Sequence, residues 1–277
     1  MDEAVLVIDK SAGPTSFDVV REVRNFTKIK KVGHAGTLDP FATGALVLLT
    51  GRATKLSNAL INADKRYYGV IKLGEATDTL DLTGQVVERG TVPEFEKADV
   101  ESVLSKFKGE WSQLPPMYSA KKIQGVRLYE LARKNMSVRR EAIAVQLYDL
   151  KLISLETGYL AFEVHCSKGT YVRTLADEIA RKLGTVGHLV ELRRLSCGPF
   201  SLEGAFTLES LLSGSCDWES VGYRNYVKLL SAEGVVGSRK PGKNFEEQPI
   251  NGQYSNQLGS QFSYLPRRSN SGMSLLD

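Results

Sequence analysis

Short apolar runs separated by glycine- and charge-marked breaks dominate the first part of the chain, and each run predicts an element. Residues 4–8 are a brief apolar stretch that reads as a buried strand. After the Gly13-Pro14 turn, Phe17, Val20, Val23 and Phe26 recur at helical spacing, predicting a helix to Thr27 with Ser16 as its N-cap. Residues 45–50 predict an apolar strand, 52–60 a helix, and 67–73 a strand of aromatic and β-branched residues. A polar loop is expected at 77–81, a short strand at 85–88, and helices at 96–106 and 128–134. Strands at 142–154 and 160–166 follow, then a helix from 170 to 183 stopped by Gly184. These elements mix without regular βαβ alternation. The expected fold class is therefore α+β, a central mixed, largely antiparallel sheet flanked by helices and loops.

The pattern fails near the end of the chain. Short helices are expected at 208–212 and 221–230, but residues 237–277 are rich in Ser, Asn, Gln, Gly, Pro and Arg and nearly empty of β-branched residues. Such a segment buries too little apolar area to offset its chain entropy, so a flexible low-complexity tail is expected after a single domain over 1–236.

Composition narrows the class. Of 277 residues, 42% are hydrophobic and 25% charged, the balance of a soluble globular chain. No apolar run reaches the about 18 residues that a membrane span needs. The acidic start Met1-Asp2-Glu3 has no signal-peptide character, so a cytoplasmic protein is expected. Cys166, Cys197 and Cys216 form no C-x-x-C pair, and His34, His165 and His188 show no ligand spacing. Reduced thiols and no metal are the expectation.

Charge is more telling by position than by sum. Lys and Arg exceed Asp and Glu by 36 to 32, and the basic clusters at Lys28-Ile29-Lys30-Lys31, Lys65-Arg66, Lys121-Lys122 and Arg193-Arg194 border glycine- or aromatic-containing segments. That distribution points to nucleic acid. No G-x-x-x-x-G-K-[ST] motif is present, which weakens a phosphate-handling enzyme as the alternative.

One segment concentrates the chemistry: Gly33-His34-Ala35-Gly36-Thr37-Leu38-Asp39-Pro40. Its glycines permit close backbone approach, and Pro40 restricts Asp39 to extended geometry. The same pattern also fits a tight turn in which the aspartate merely accepts backbone amides. Arg173 falls in the first turn of its expected helix, where the dipole disfavours a cation by about 0.3–1 kcal/mol, so an acidic partner is expected. Asp177, four residues on, is one candidate. Tyr67 and Tyr68 point to opposite faces of their strand, so only one can enter a site beside it.

The run GHAGTLDPFATGALVL resembles the catalytic motif of the TruB family of tRNA pseudouridine synthases. Lys65-Arg66-Tyr67 with Leu73-Gly74 and Thr77-Asp78-Thr79-Leu80-Asp81, Cys166 through Leu175, and Leu192-Arg193-Arg194-Leu195 with Gly198-Pro199-Phe200 resemble its later blocks in order. The resemblance implies a pseudouridine synthase catalytic fold that isomerises the T-loop uridine at tRNA position fifty-five without metal or cofactor. It implies Asp39 as the catalytic carboxylate at the sugar carbon, a role also known for carboxylates in glycoside chemistry. Tyr67 becomes the platform stacked on the uracil, and Arg173 the partner of Asp39 rather than of Asp177. His34 would hold the opened T-loop, Lys10, Lys65 and Lys168 would meet phosphates, and Tyr171 and Leu195 would also contact RNA. A monomer acting on the tRNA T-arm, with no obligatory protein partner and no membrane association, is expected. The chain departs from many family members in showing no clear PUA-type RNA-binding domain at its C-terminus. The rival reading is an RNA-binding, tRNA-folding protein without catalysis, which would have no need of the Asp39, Tyr67 and Arg173 set.

Overall fold

A computed structural model of the chain describes residues 3–216 apart from residues 120, 124, 135 and 137. The expected tail at 237–277 and the helix at 221–230 lie outside the described residues.

The first apolar run forms β1, Val5–Lys10, and the amphipathic segment after it forms α1, Ser16–Thr27. Thr15, and not Ser16, caps this helix. Its hydroxyl accepts from the Asp18 amide while the Asp18 carboxylate accepts from the Thr15 amide, a reciprocal capping box. Ser16 turns inward instead, accepting from the Leu38 amide at 2.9 Å and donating to the Leu38 carbonyl at 3.2 Å. The start of α1 thereby pins the residue that precedes Asp39.

β2, Val32–His34, and β3, Thr43–Thr50, bracket the glycine-containing segment. Where one helix is expected, a 3-10 turn at Gly51–Leu56 leads into α2, Ser57–Asn62. Next come β4, Lys65–Leu73; the small hairpin of β5, Glu75–Thr77, and β6, Val86–Arg89; α3, Lys97–Ser105; and β7, Gly109–Gln113. The two-residue strands β8, Lys122–Ile123, and β9, Val126–Arg127, precede α4, Leu128–Ala132. The long antiparallel pair β10, Ile143–Glu156, and β11, Tyr159–Cys166, feeds α5, Val172–Lys182. The described part closes with β12, Gly187–Cys197; β13, Phe200–Ser201; β14, Phe206–Thr207; and α6, Leu208–Leu212. Helix α5 stops as expected: Gly184 adopts φ 80°, with Gly184 N–H bonded to Arg181 O and Thr185 N–H to Ala180 O, a Schellman ending.

Ten strands form one sheet, ordered β14-β1-β3-β12-β4-β11-β10-β7, with β2 added to β3 and β13 to β12. Only the β1–β14 and β3–β12 pairs are parallel, so the sheet is mixed and largely antiparallel. One face carries Leu6, Ile8, Leu46, Leu48, Ile71 and Phe162 and is covered by the apolar stripes of α1 (Val19, Val20, Val23) and α5 (Leu175, Ala176, Ile179). A smaller apolar cluster holds Val5, Val47 and Leu49 with Ala53, Leu56 and Leu60. Strand alternation sends neighbouring residues of β1 and β3 into these two clusters, which fixes their register.

Candidate active site

The segment between β2 and β3 is held from three directions. Ser16 fixes Leu38 from α1. The Gly13 amide donates to the Pro40 carbonyl at 2.9 Å, and the Ala42 amide to the Asp39 carbonyl at 3.1 Å. From beneath, the Lys10 ammonium donates to the carbonyls of Ala42 at 2.7 Å, Ser11 at 2.9 Å and Pro40 at 3.1 Å. Lys10 is therefore no phosphate contact: only 1% of it is exposed, and its charge clamps the loop. Burial brings its pKa down to about 8, with Asp39 pulling it upward and Arg194 pushing it down. Replacing Lys10 by Met is expected to free the loop and lower turnover by about 10-fold or more, the scale of a sub-ångström to 1 Å misplacement, while circular dichroism stays native. Single-turnover kinetics on a folded variant check this.

Arg173 sits at the second residue of α5 and reaches across to the loop. Its Nε meets Asp39 Oδ2 at 2.9 Å and its Nη2 donates to Asp39 Oδ1 at 3.3 Å, a side-on two-point contact. Nη2 also donates to the Tyr118 carbonyl at 2.7 Å, and Nη1 to the Thr79 carbonyl at 2.8 Å. A second carboxylate, Asp81 Oδ2, lies 3.6 Å from Nη1. The guanidinium thus makes three hydrogen bonds and faces two carboxylates. Asp177, the other partner open to Arg173 from sequence, pairs with Arg181 at 3.1 Å.

Asp81 is a site residue to which sequence reading gave no role. Its Oδ1 accepts from Thr79 Oγ1 at 2.8 Å, the Thr83 amide at 2.9 Å and Thr83 Oγ1 at 2.6 Å, which leaves Oδ2 for Arg173. The signal was the Thr79-x-Asp81-x-Thr83 spacing, which lets a carboxylate gather local donors. The Asp39 side chain keeps 35% of its area open, against 6% for Asp81, so Asp39 is the carboxylate a substrate can reach. Its packed surroundings push the Asp39 carboxyl above the usual range. Arg173 opposes that push, Asp81 adds to it, and Lys10 opposes it weakly.

Register places the remaining side chains. Lys10 pairs with Gly44, Gly44 with Arg194, Arg194 with Tyr67 and Tyr67 with Val164, one row across five strands and one face of the sheet. Tyr67 is thus on the face of the Lys10 clamp and Tyr68 on the other. Burial raises the Tyr67 phenol to about 12, with the neighbouring Arg194 guanidinium opposing the rise. His34 is half-buried with Nδ1 unpartnered, and burial and then Arg194 lower its pKa.

Two more lysine-arginine expectations need correction. Lys65 is 7% exposed, and its ammonium donates to the carbonyls of Ala63 at 2.5 Å, Ile61 at 2.7 Å and Leu60 at 3.3 Å. It closes the C-terminal end of α2, where a cation is favoured, and meets no phosphate. In the Arg193-Arg194 cluster, Arg194 is 1% exposed and Arg193 pairs with Asp9 at 2.7 Å. Lys168 is exposed, bonded to Asn62 Oδ1 at 2.9 Å, and Tyr171 and Leu195 are half-buried, so these three remain on accessible surface. Gln113, also passed over in sequence, is fully buried. Its amide donates to the Gly169 carbonyl at 2.6 Å and accepts from the Tyr171 amide at 2.9 Å, fixing the entry to α5 and hence Arg173.

Comparison with known proteins follows the same lines. Residues 24–172 match the N-terminal domain of the TruB family pseudouridylate synthases, and residues 173–228 match the tRNA pseudouridylate synthase B C-terminal domain. The chain is 46% identical over 232 residues to tRNA pseudouridine synthase B of Caldanaerobacter subterraneus, covering 83% of this chain and 81% of that protein. It is 48% identical over 209 residues to the protein of the same name from Geobacter sulfurreducens, covering 76% and 69%. A solved Cbf5-Nop10-Gar1 complex contains a chain that superposes with a TM-score of 0.61 at 27% identity, covering 84% of this chain and 57% of that one. The chain thus spans somewhat more than half the length of that solved relative.

Proposed function

Because the chain belongs to the TruB family of pseudouridylate synthases, we propose that it isomerises uridine to pseudouridine in tRNA, at position fifty-five of the T-loop. Substrate and product have the same atoms. The glycosidic N1–C1′ bond breaks, the uracil turns, C5 joins C1′, and the proton on C5 is lost while N1 gains one. No electrons leave the system and no co-reactant is consumed. Every group the reaction needs is a side chain.

The observation that carries this reading is the pairing of a part-open carboxylate, Asp39, with a buried guanidinium, Arg173. The guanidinium favours the ionised form of Asp39 against the burial that raises its pKa, and fixes the carboxylate in place. An ionised carboxylate at a sugar carbon is suited to stabilising or trapping the electron-poor C1′ left when uracil departs. Tyr67, on the core face of β4, is proposed as the stacking platform on which the freed base turns, a contact worth about 1–3 kcal/mol per base. The extruded nucleoside would be reached by opening the T-loop, with His34 beside it. Lys168, Tyr171 and Leu195 are proposed RNA contacts.

We also propose that the catalytic unit spans residues 1–236, needs no metal or added cofactor, and works as a cytoplasmic monomer without the partners named in the Cbf5 complex. No helix among the described residues is long and apolar enough to cross a membrane. Incubation with an unmodified tRNA transcript, followed by nucleotide-resolution mapping, should yield one pseudouridine in the T-loop. A folded protein that leaves that uridine unchanged while binding the transcript would support the rival RNA-folding reading instead.

A further inference from the structure

Among the described residues, Arg194 is the largest of the fully buried side chains, and it forms no ion pair. Burying an unpaired cation is unfavourable unless its donors are satisfied, so what it bonds to is informative. Its Nε donates to the Ala45 carbonyl in β3 at 2.6 Å and its Nη2 to the Gly36 carbonyl, in the segment that bears Asp39, at 3.2 Å. The same residue is the register partner of Tyr67 on β4, and its charge acts on the Tyr67 phenol. The backbone is shaped to allow this. Gly44 faces Arg194 across the parallel β3–β12 contact with φ 99°, and a Cβ there would sit 2.2 Å from the Arg194 carbonyl oxygen. At Gly36, φ 113°, a Cβ would approach Arg194 Nη1 at 3.6 Å, so the guanidinium fills the floor beneath the loop.

Resting on the reading of the site given above, we infer that Arg194 is a positioning residue for the reaction: its buried guanidinium joins the Asp39-bearing segment to Tyr67 and sets the distance between carboxylate and aromatic platform. A planar fork suits this task, because it addresses two carbonyls from fixed directions while lying beside Tyr67 in register, which a single ammonium cannot do. Its charge reaches the surroundings as well: it lowers the pKa of His34 and Lys10 and opposes the burial-driven rise at Tyr67.

Two variants test this, Arg194→Met and Arg194→Lys, with Arg193→Met as a neighbour outside the site. Folding is checked by circular dichroism and turnover on tRNA under saturating and subsaturating conditions. Both Arg194 variants are expected to lose about 100-fold in kcat with KM for tRNA within about threefold, the signature of misplaced reacting groups. Arg193→Met should keep wild-type kcat. NMR titration of the His34 imidazole supplies a readout independent of turnover: its pKa should rise in Arg194→Met and stay near wild type in Arg194→Lys. If the methionine variant fails to fold, the lysine variant decides. Wild-type kcat in either folded Arg194 variant, or an unchanged His34 titration in Arg194→Met, overturns the inference. An inactive wild-type protein would instead overturn the proposed reaction, which the same assay reports separately.

Discussion

Replacing Asp39 by Asn is expected to abolish turnover, by about 10⁴-fold or more, while tRNA affinity changes only a few-fold. The magnitude is that of removing a group with which the substrate reacts. Affinity should survive because phosphate and stacking contacts lie on other residues. The fold should survive too. Asn keeps the volume of Asp39, Arg173 retains the Thr79 and Tyr118 carbonyls and Asp81, and the Ser16 and Lys10 clamps act on neighbouring backbone. The Asp39 carboxyl has a folded pKa above its unfolded value. Its contribution to stability is therefore present below the unfolded pKa and lost as pH rises through the folded one. Above the unfolded pKa this carboxyl disfavours folding, so a neutral amide should leave the thermal midpoint at or above that of wild type. Pseudouridine mapping, tRNA binding and thermal unfolding on one preparation check all three expectations.

Arg173→Met is expected to damage both stability and turnover. Removing the guanidinium strands the Thr79 and Tyr118 carbonyls and leaves Asp39 and Asp81 as two carboxylates without their shared cation. A loss of about 3 kcal/mol is expected, near the lower end for breaking a buried pair because the open edge of Asp39 lets water screen part of the deficit. For a domain of this size that lowers the thermal midpoint by about 6–12 °C. Turnover should fall by about 10³-fold, since an unaimed carboxylate forfeits both orientation and field. Arg173 normally holds the Asp39 pKa down, so its removal raises that pKa further. Lowering the pH toward the unfolded carboxyl pKa should then recover part of the lost stability by protonating the carboxylate. Arg173→Lys should recover part of it at neutral pH, with little turnover, because an ammonium restores charge without the fork. Thermal unfolding of both variants at two pH values separates these effects.

The parts of the fold written as uninterrupted periodic runs were legible. The apolar runs of β1, β3 and β11 and the amphipathic α1 and α5 appear close to their expected limits, and Gly184 ends α5 with the expected geometry. β12 was passed over although it lies at the centre of the sheet. Its sequence includes Glu191, Arg193 and Arg194, and register shifts at Leu189/Glu191 and Arg194/Ser196 break the two-residue period that marks a strand. The N-cap was misplaced by one residue because Thr15 and Ser16 are both good caps, and only the contact with Leu38 distinguishes them.

In the site, the pairing of Asp39 with Arg173 was implied by resemblance, while residue spacing offered Asp177 equally well. Lys10, Lys65 and Arg194 were misjudged for a common reason. Long cations are nearly always solvent-facing, and a sequence gives no warning that backbone carbonyls will surround one. Asp81 and Gln113 matter through tertiary bonds formed across 92 and 56 to 58 residues of chain, which no local pattern records.

The most direct measurement is tritium release from tRNA carrying [5-³H]uridine, because forming the C5–C1′ bond must expel the C5 hydrogen. Wild-type protein should release one equivalent from the T-loop uridine of each tRNA, and Asp39→Asn none while it binds the same tRNA. Release at the wild-type rate by the folded Asn variant would contradict the account.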